Sequence, residues 1–336
     1  MPAPDAALPG ARPLRLILRI TALALFVGAS LLPAPRLARG AWPWPLTPWD
    51  ARLLGATYLT ALVAIVLLLI VERWALSRLL SPTVITFGAV ISLASLLHLD
   101  RFDLQRWTTW AWFILSLVPL LALTYHLRFY RRWRPAEVAP LPAPWRIYLT
   151  AQGLTLGLYG LGLFLAPTAF GALWPWPVDA FHGRLYSAPF LAGAVGSLIL
   201  AQAAAPVEVA ALGLLQSLCG LPTILIGGLA AISQGSAPWL WLGGLATLSL
   251  AGLATLRRAR ATLPTLWERW QAAARAIGDF QARLLLTLFY FVIVTPFGLA
   301  VRLFSDPLRL RRPQADSAWI ARTSSDGDMD RARSQF

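Results

Sequence analysis

The chain of 336 residues contains no lysine, no asparagine and a single cysteine. Without lysine there is no GxxxxGK[ST] phosphate loop. One cysteine, Cys219, excludes an intrachain disulfide and a CxxC thiolate metal site. Charge is scarce: 13% of residues are charged, against about a quarter in an ordinary soluble domain. Only three histidines occur, His98, His126 and His182, and none forms an HExxH pair. His98 and His126 end two apolar runs at opposite faces, which excludes a bis-histidine haem held at one depth. No carboxylate falls in the middle of an apolar run, where a proton-coupled transporter keeps one; Glu72 ends a run and Glu208 begins one. No catalytic residue, metal ligand or cofactor is assigned on these grounds.

What is abundant is apolar surface: 57% hydrophobic residues and a mean hydropathy of +0.62. With charge so low, this composition identifies lipid as the solvent. All 29 basic residues are arginine and the net charge is +14. The arginines cluster between apolar runs, so they fit anionic lipid headgroups and not nucleic acid. Apolar runs near spanning length, about 20 residues, cover residues 14–33, 53–72, 83–99, 108–127, 147–166, 185–204, 209–232 and 239–256, with a ninth at 284–303. The first, followed by Arg36-Leu37-Ala38-Arg39, has the look of a signal peptide, but an internal repeat argues that it is retained.

That repeat centres on a tetrapeptide, Trp42-Pro43-Trp44-Pro45, which recurs as Trp174-Pro175-Trp176-Pro177. A shift of 132 residues gives 13 identities in 38 positions between Leu31 and Leu68. The pattern predicts an all-α, polytopic membrane bundle of two tandem parallel four-helix repeats, eight spans in all. The domains are then 1–137 and 138–260 for the repeats, 261–304 for an interfacial helix with the ninth segment, and 305–336 for a polar tail. Alternate inter-run segments carry 15 arginines on one side and six on the other. The positive-inside rule then sets the N-terminus in the cytoplasm, in a bacterial cytoplasmic (inner) membrane.

Each tetrapeptide precedes an even-numbered run. Thr47, Pro48 and Asp50 form a helix start, and Asp179 is its counterpart. Tryptophan favours the headgroup layer, so Trp42, Trp44, Trp174 and Trp176 are expected to anchor the loops at the outer face. With Arg52 and Arg184 they form a candidate contact for lipid or glycan. The deep polar side chains Gln152 and Gln216 either bond between helices or border a cavity, and Pro222 either kinks its helix or breaks it.

After Arg260 the repeat ends. Thr265 and Glu268 form a capping box before the stripe Leu266, Trp270, Ala273 and Ile277, which reads as an interfacial helix ended by Gly278. Further on stand Phe289-Tyr290, Thr295-Pro296, Gly298, Arg302-Leu303, Asp306-Pro307-Leu308, Ser317-Ala318-Trp319 and Gln335-Phe336. Over residues 264–336 this combination resembles the SxtJ-like family of small bacterial membrane proteins. The resemblance implies an accessory role at the membrane without catalysis, with Asp306, Pro307, Trp319, Gln335 and Phe336 as a partner-binding tail. The ninth segment either spans or, bent at Pro296 and Gly298, re-enters from the cytoplasmic face.

Three functions fit. The first is a non-catalytic scaffold or accessory subunit of a membrane-associated biosynthetic or export complex, with other membrane proteins as partners. The second is a transporter or flippase for a lipid-linked or hydrophobic substrate. A membrane-embedded enzyme is the least supported, as no acid pair or nucleophile–base pair is visible.

Overall fold

The computed structural model describes residues 11–31, 33–38, 42–71, 74–130, 138–235 and 239–304. Among them the chain is all-helical, with one isolated antiparallel bridge between Ala139 and Ala204. The helices are α1 (Ala11–Ala29), α2 (Pro48–Ile70), α3 (Trp74–Leu97), α4 (Trp107–Tyr130), α5 (Ala143–Leu165), the short α6 (Pro167–Gly171), α7 (Ala180–Gln202), α8 (Pro206–Gln234), α9 (Trp239–Arg258), α10 (Leu263–Phe289) and α11 (Thr295–Phe304). Asp306, Pro307, Trp319, Gln335 and Phe336 lie outside the described residues.

Local chemistry explains the helix starts. Thr47 caps α2 by accepting the Asp50 backbone N–H at 3.2 Å, with Pro48 in the first turn. Asp179 caps α7 by accepting the His182 N–H at 2.8 Å. At the start of α8 the Glu208 carboxylate accepts the Ala205 N–H, and Gly235 ends the helix in the left-handed region at φ 63°. These groups satisfy backbone donors and acceptors that a helix end leaves open. Pro222 lies inside α8, which runs through it unbroken.

Among the described residues, eight helices are long and apolar enough to cross a membrane: α2, α3, α4, α5, α7, α8, α9 and the helical stretch Arg260–Phe304. This is not the predicted set of eight. The first predicted span, 14–33, ends early at Ala29, and α1 carries Arg12, Arg15 and Arg19 within its first nine residues. Those charges keep it out of the apolar class.

The chain forms two compact units, 1–272 and 273–336. Within the first, α1 lies on α2 and α5 on α7, while α3 lies on α4 and α8 on α9. The remaining large contacts are crossed: α3 packs on α7, and α2 on α8. Residues before and after position 137 are thus interlocked in one unit. One apolar cluster gathers the aromatic residues around Trp44, Trp176 and Phe181, and another gathers Leu76, Leu79, Leu80, Leu149 and Leu200. Between these two clusters run the long helices that border the cavity described below.

Gly278 does not end α10, which continues to Phe289. A π-helical turn, Tyr290–Val294, then leads directly into α11. The Thr295 N–H and hydroxyl both reach back to the Tyr290 carbonyl, and this wider turn absorbs Pro296, which has no N–H to give. The backbone reversal that a re-entrant hairpin needs is therefore absent between Arg260 and Phe304.

Candidate functional site

The two tetrapeptides meet and exchange partners. The Trp44 indole donates from Nε1 to His182 Nε2 at 3.2 Å, and the Trp176 indole donates to Asp50 Oδ1 at 2.9 Å. Trp44 and Trp176 stand 132 positions apart, and so do Asp50 and His182, so the same two positions form the bond in each direction. Each acceptor also belongs to its own helix start. Thr47 Oγ1 donates to Asp50 Oδ2 at 2.6 Å, and Asp179 Oδ1 lies 2.8 Å from His182 Nδ1. With Nε2 accepting from Trp44, the His182 proton is assigned to Nδ1, facing Asp179. The Tyr186 hydroxyl also donates to Asp50 Oδ1. Pro45, Thr47, Asp50, Pro177, Val178, Asp179 and His182 border a small polar pocket of about 420 Å³ at this junction.

Asp179 holds its carboxyl well below the usual range, chiefly through the His182 side-chain hydrogen bond and also through Arg101, whose guanidinium is 3.4 Å away. Among the described residues no three acids, imidazoles or thiols converge as a metal site.

The tryptophans expected at the headgroup layer are turned inward. Trp44, Trp174 and Trp176 are 4%, 7% and 3% exposed, and Trp42 is half-buried. Their rings meet other aromatics edge-on: Trp44 packs on Trp112, Phe102 and Phe181, and Trp174 on Trp241. Such geometry suits the aromatic quadrupole and gives the rings a denser surround than headgroups offer. The exposed tryptophans are others, Trp107, Trp110, Trp239, Trp267 and Trp270. Arg52 lies over the Trp49 ring at 5.1 Å. Arg184 donates to the Phe164 carbonyl at 3.1 Å and to His98 Nε2 at 2.6 Å.

The structure separates the two deep glutamines. Gln152 is spent within the α5–α7 seam, where its amide donates to Ser197 Oγ at 2.8 Å and its carbonyl accepts from Tyr148. Gln216 borders an apolar cavity of about 500 Å³ walled by α1, α2, α3, α4, α5, α7, α8 and α9. Gln216 is 6% exposed, and neither atom of its amide has a partner. Tyr58, Trp42, Thr108 and Trp174 also line this cavity, each with a buried polar atom that has no partner. Among the described residues no charged side chain lines it.

Sequence reasoning singled out Gln216 but missed Asp50 and His182 as acceptors. The signal was present: both occupy one register of the 132-residue shift, and both can accept. Searches against protein-family models, curated proteins and solved structures give no match, so function is argued from geometry.

Proposed function

We propose that the chain is a multi-pass protein of the bacterial cytoplasmic membrane, N-terminus inside, that binds a hydrophobic or lipid-like ligand between its helices for transport or flipping. The observation that carries this reading is the apolar, uncharged cavity of about 500 Å³. A space of that size with an apolar wall suits an acyl chain or another lipophilic body. Scattered polar groups in an apolar concavity are the usual composition of a small-molecule site.

The tandem, parallel duplication is part of the same proposal. It is supported by the crossed packing of α3 on α7 and α2 on α8, and by the two indole bonds that share one register. The arginine bias supports the orientation.

An accessory-subunit role rests on a separate observation. Leu284 to Val294 and Phe297 to Leu299 are exposed, and no part of the apolar window within Arg260–Phe304 is buried, whereas 17% to 56% of each other candidate span is. The SxtJ-like resemblance of residues 264–336 fits a partner helix meeting this segment in the membrane.

Filling the cavity tests the first reading. Ala61 lines it from α2, and Ala61→Phe occupies space that the ligand would take. Wild type and variant, purified in mild detergent, are compared by mass spectrometry of extracted lipophilic molecules. Loss of one abundant species from a folded variant is expected; identical extracts would sink the proposal.

A further inference from the structure

Resting on that reading of the cavity, we infer that its ligand is an uncharged amphiphile whose buried polar part carries carbonyl or hydroxyl oxygens, and that Gln216 with Tyr58 recognises that part. Two features define this class. The first is the absence of any charged side chain from the lining among the described residues. A phosphate, carboxylate or ammonium brought to this depth would lose its hydration and meet no counter-ion, and such burial is far costlier than that of a neutral polar group. Phospholipid headgroups and phosphate-linked carriers are therefore kept out of the depth of the cavity, although their chains could enter.

The second feature is the set of unpaired polar atoms. Gln216 and Tyr58 are 6% and 7% exposed, and the Gln216 amide nitrogen, the Gln216 carbonyl oxygen and the Tyr58 hydroxyl have no partners. Each group lies about ten residues into its helix, close to 15 Å along the axis at 1.5 Å per residue. Since α2 and α8 pack together, both groups lie in the middle of the bundle. Trp42 and Trp174 add two indole N–H groups on the same cavity. Indoles only donate, while the phenol and the amide donate and accept. The set therefore favours a ligand rich in acceptors, such as an ester, ketone or polyol head on an apolar body. Leaving such groups unmet is costly, and a matching ligand recovers that loss where an alkane does not. The same lining rewards a chain of any kind, so specificity comes from the few polar atoms.

Three probes of similar apolar length distinguish the possibilities: monoolein, oleate and hexadecane. Binding to detergent-solubilised protein is read by thermal shift and by competition with a brominated chain that quenches tryptophan fluorescence. Wild type should bind monoolein about tenfold more tightly than hexadecane, the size of one or two recovered hydrogen bonds, and oleate no better than hexadecane. Gln216→Leu should lose that tenfold preference and keep hexadecane binding. Gln216→Glu, which restores an acceptor but brings a charge, should not recover it. If oleate binds best, or Gln216→Leu binds monoolein as wild type does, the assignment of the head group is wrong while the cavity stands. If neither monoolein nor hexadecane binds wild type more tightly than Ala61→Phe, the cavity reading itself fails, and this inference with it.

Discussion

Between Ala143 and Arg258 the helices touch backbone to side chain through glycines, whereas the helices between Ala11 and Tyr130 supply most of the cavity wall. Residues 1–137 hold five glycines and residues 138–260 hold sixteen. On α8, Gly213, Gly220 and Gly227 recur every seven residues and face α9. A Cβ at Gly213 would stand 2.8 Å from the Gly252 carbonyl oxygen, and one at Gly220 would stand 2.1 Å from Ser249 Oγ. Against α7, a Cβ at Gly153 or Gly160 would meet the Leu198 or Leu191 side chain at 2.7 and 2.8 Å. Where apolar solvent gives helices no reason to separate from it, close approach of small residues is a main source of attraction. The first half lacks that stripe. Its α3 carries Val84 and Ile91, and both line the cavity. The second half is thus the more closely packed, and the first supplies most of the cavity wall.

The halves are also joined at two ends by different chemistry, and the larger test lies at the end opposite the tetrapeptides. Arg78 on α3 grips Glu208 on α8 with two hydrogen bonds of 3.0 and 2.6 Å, and also donates to the Ala203 carbonyl at 2.6 Å. The Glu208 side chain is fully buried. Arg78→Met would strand that carboxylate, a loss of roughly 3–5 kcal/mol in comparable buried pairs. Melting of the detergent-solubilised protein should fall sharply, and the double variant Arg78→Met/Glu208→Met should recover most of it. Equal melting of the single variant and wild type would show that this pair does not hold the halves.

The second test sharpens the contrast in packing. Gly213→Ala puts a methyl against the backbone of α9, which cannot move like a flexible side chain, and should cost about 1–3 kcal/mol. Gly88→Ala on α3 has its nearest neighbours at 3.6 Å, ordinary contact distance, and should leave melting unchanged. A reversed order of the two would break the picture of a more closely packed second half.

How far these features were legible beforehand follows from what local sequence encodes. Helix starts at Thr47 and Asp179 are short-range chemistry, and both were visible. The long apolar helices were visible from composition, although the end of α1 and its charges were not weighed. The inward turn of Trp44 and Trp176 was not legible, because an indole suits a headgroup layer and a protein interior alike, and only its neighbours decide. The cavity was hidden for a different reason: a void is the absence of side chains from several distant segments, and no local pattern writes it. Gln216 stood out by polarity alone. Gly278 suggests a helix end and Pro296 allows either a bend or a span, yet the helix runs through both. A glycine with open space around it costs only about 1 kcal/mol in a helix, and a π turn accommodates the proline.

The crossed indole bonds should be unequal, because the two tetrapeptides use different acceptors. Asp50 is buried and accepts from Trp176, Tyr186 and Thr47, and hydrogen bonds to a charged group are worth about 1.5–3 kcal/mol. Trp44 donates to a neutral imidazole, worth about 1 kcal/mol. Replacing each indole by a phenyl ring removes the donor together with a similar amount of buried ring in both cases, so the difference reads the bonds: Trp176→Phe should lower melting more than Trp44→Phe. A double-mutant cycle with Asp50→Ala and His182→Phe measures each coupling, and equal couplings would mean that the two tetrapeptides are energetically symmetric at this junction.

The smallest effect is expected from pH, and it tests whether the first half is fastened to the second through His98. Arg184 on α7 donates to His98 Nε2, so this imidazole is an acceptor and must be neutral there. Burial first, and the Arg184 charge next, pull its pKa below the ordinary histidine value; Arg101 acts in the same direction, and Asp100 and Asp179 oppose it. A group whose pKa is lower in the folded state binds fewer protons there than in the unfolded chain. The stability it contributes is therefore complete above the unfolded value, about 6.5, and is lost as pH falls below it. Asp179, also held low, loses its contribution by the same sign rule only below about pH 4, so the two windows do not overlap. Between pH 7.5 and 5 the melting temperature of wild type should drop by roughly 1–2 °C relative to His98→Gln, whose amide can accept from Arg184 but does not titrate. Parallel curves for the two proteins would remove His98 from the contacts that fasten the halves.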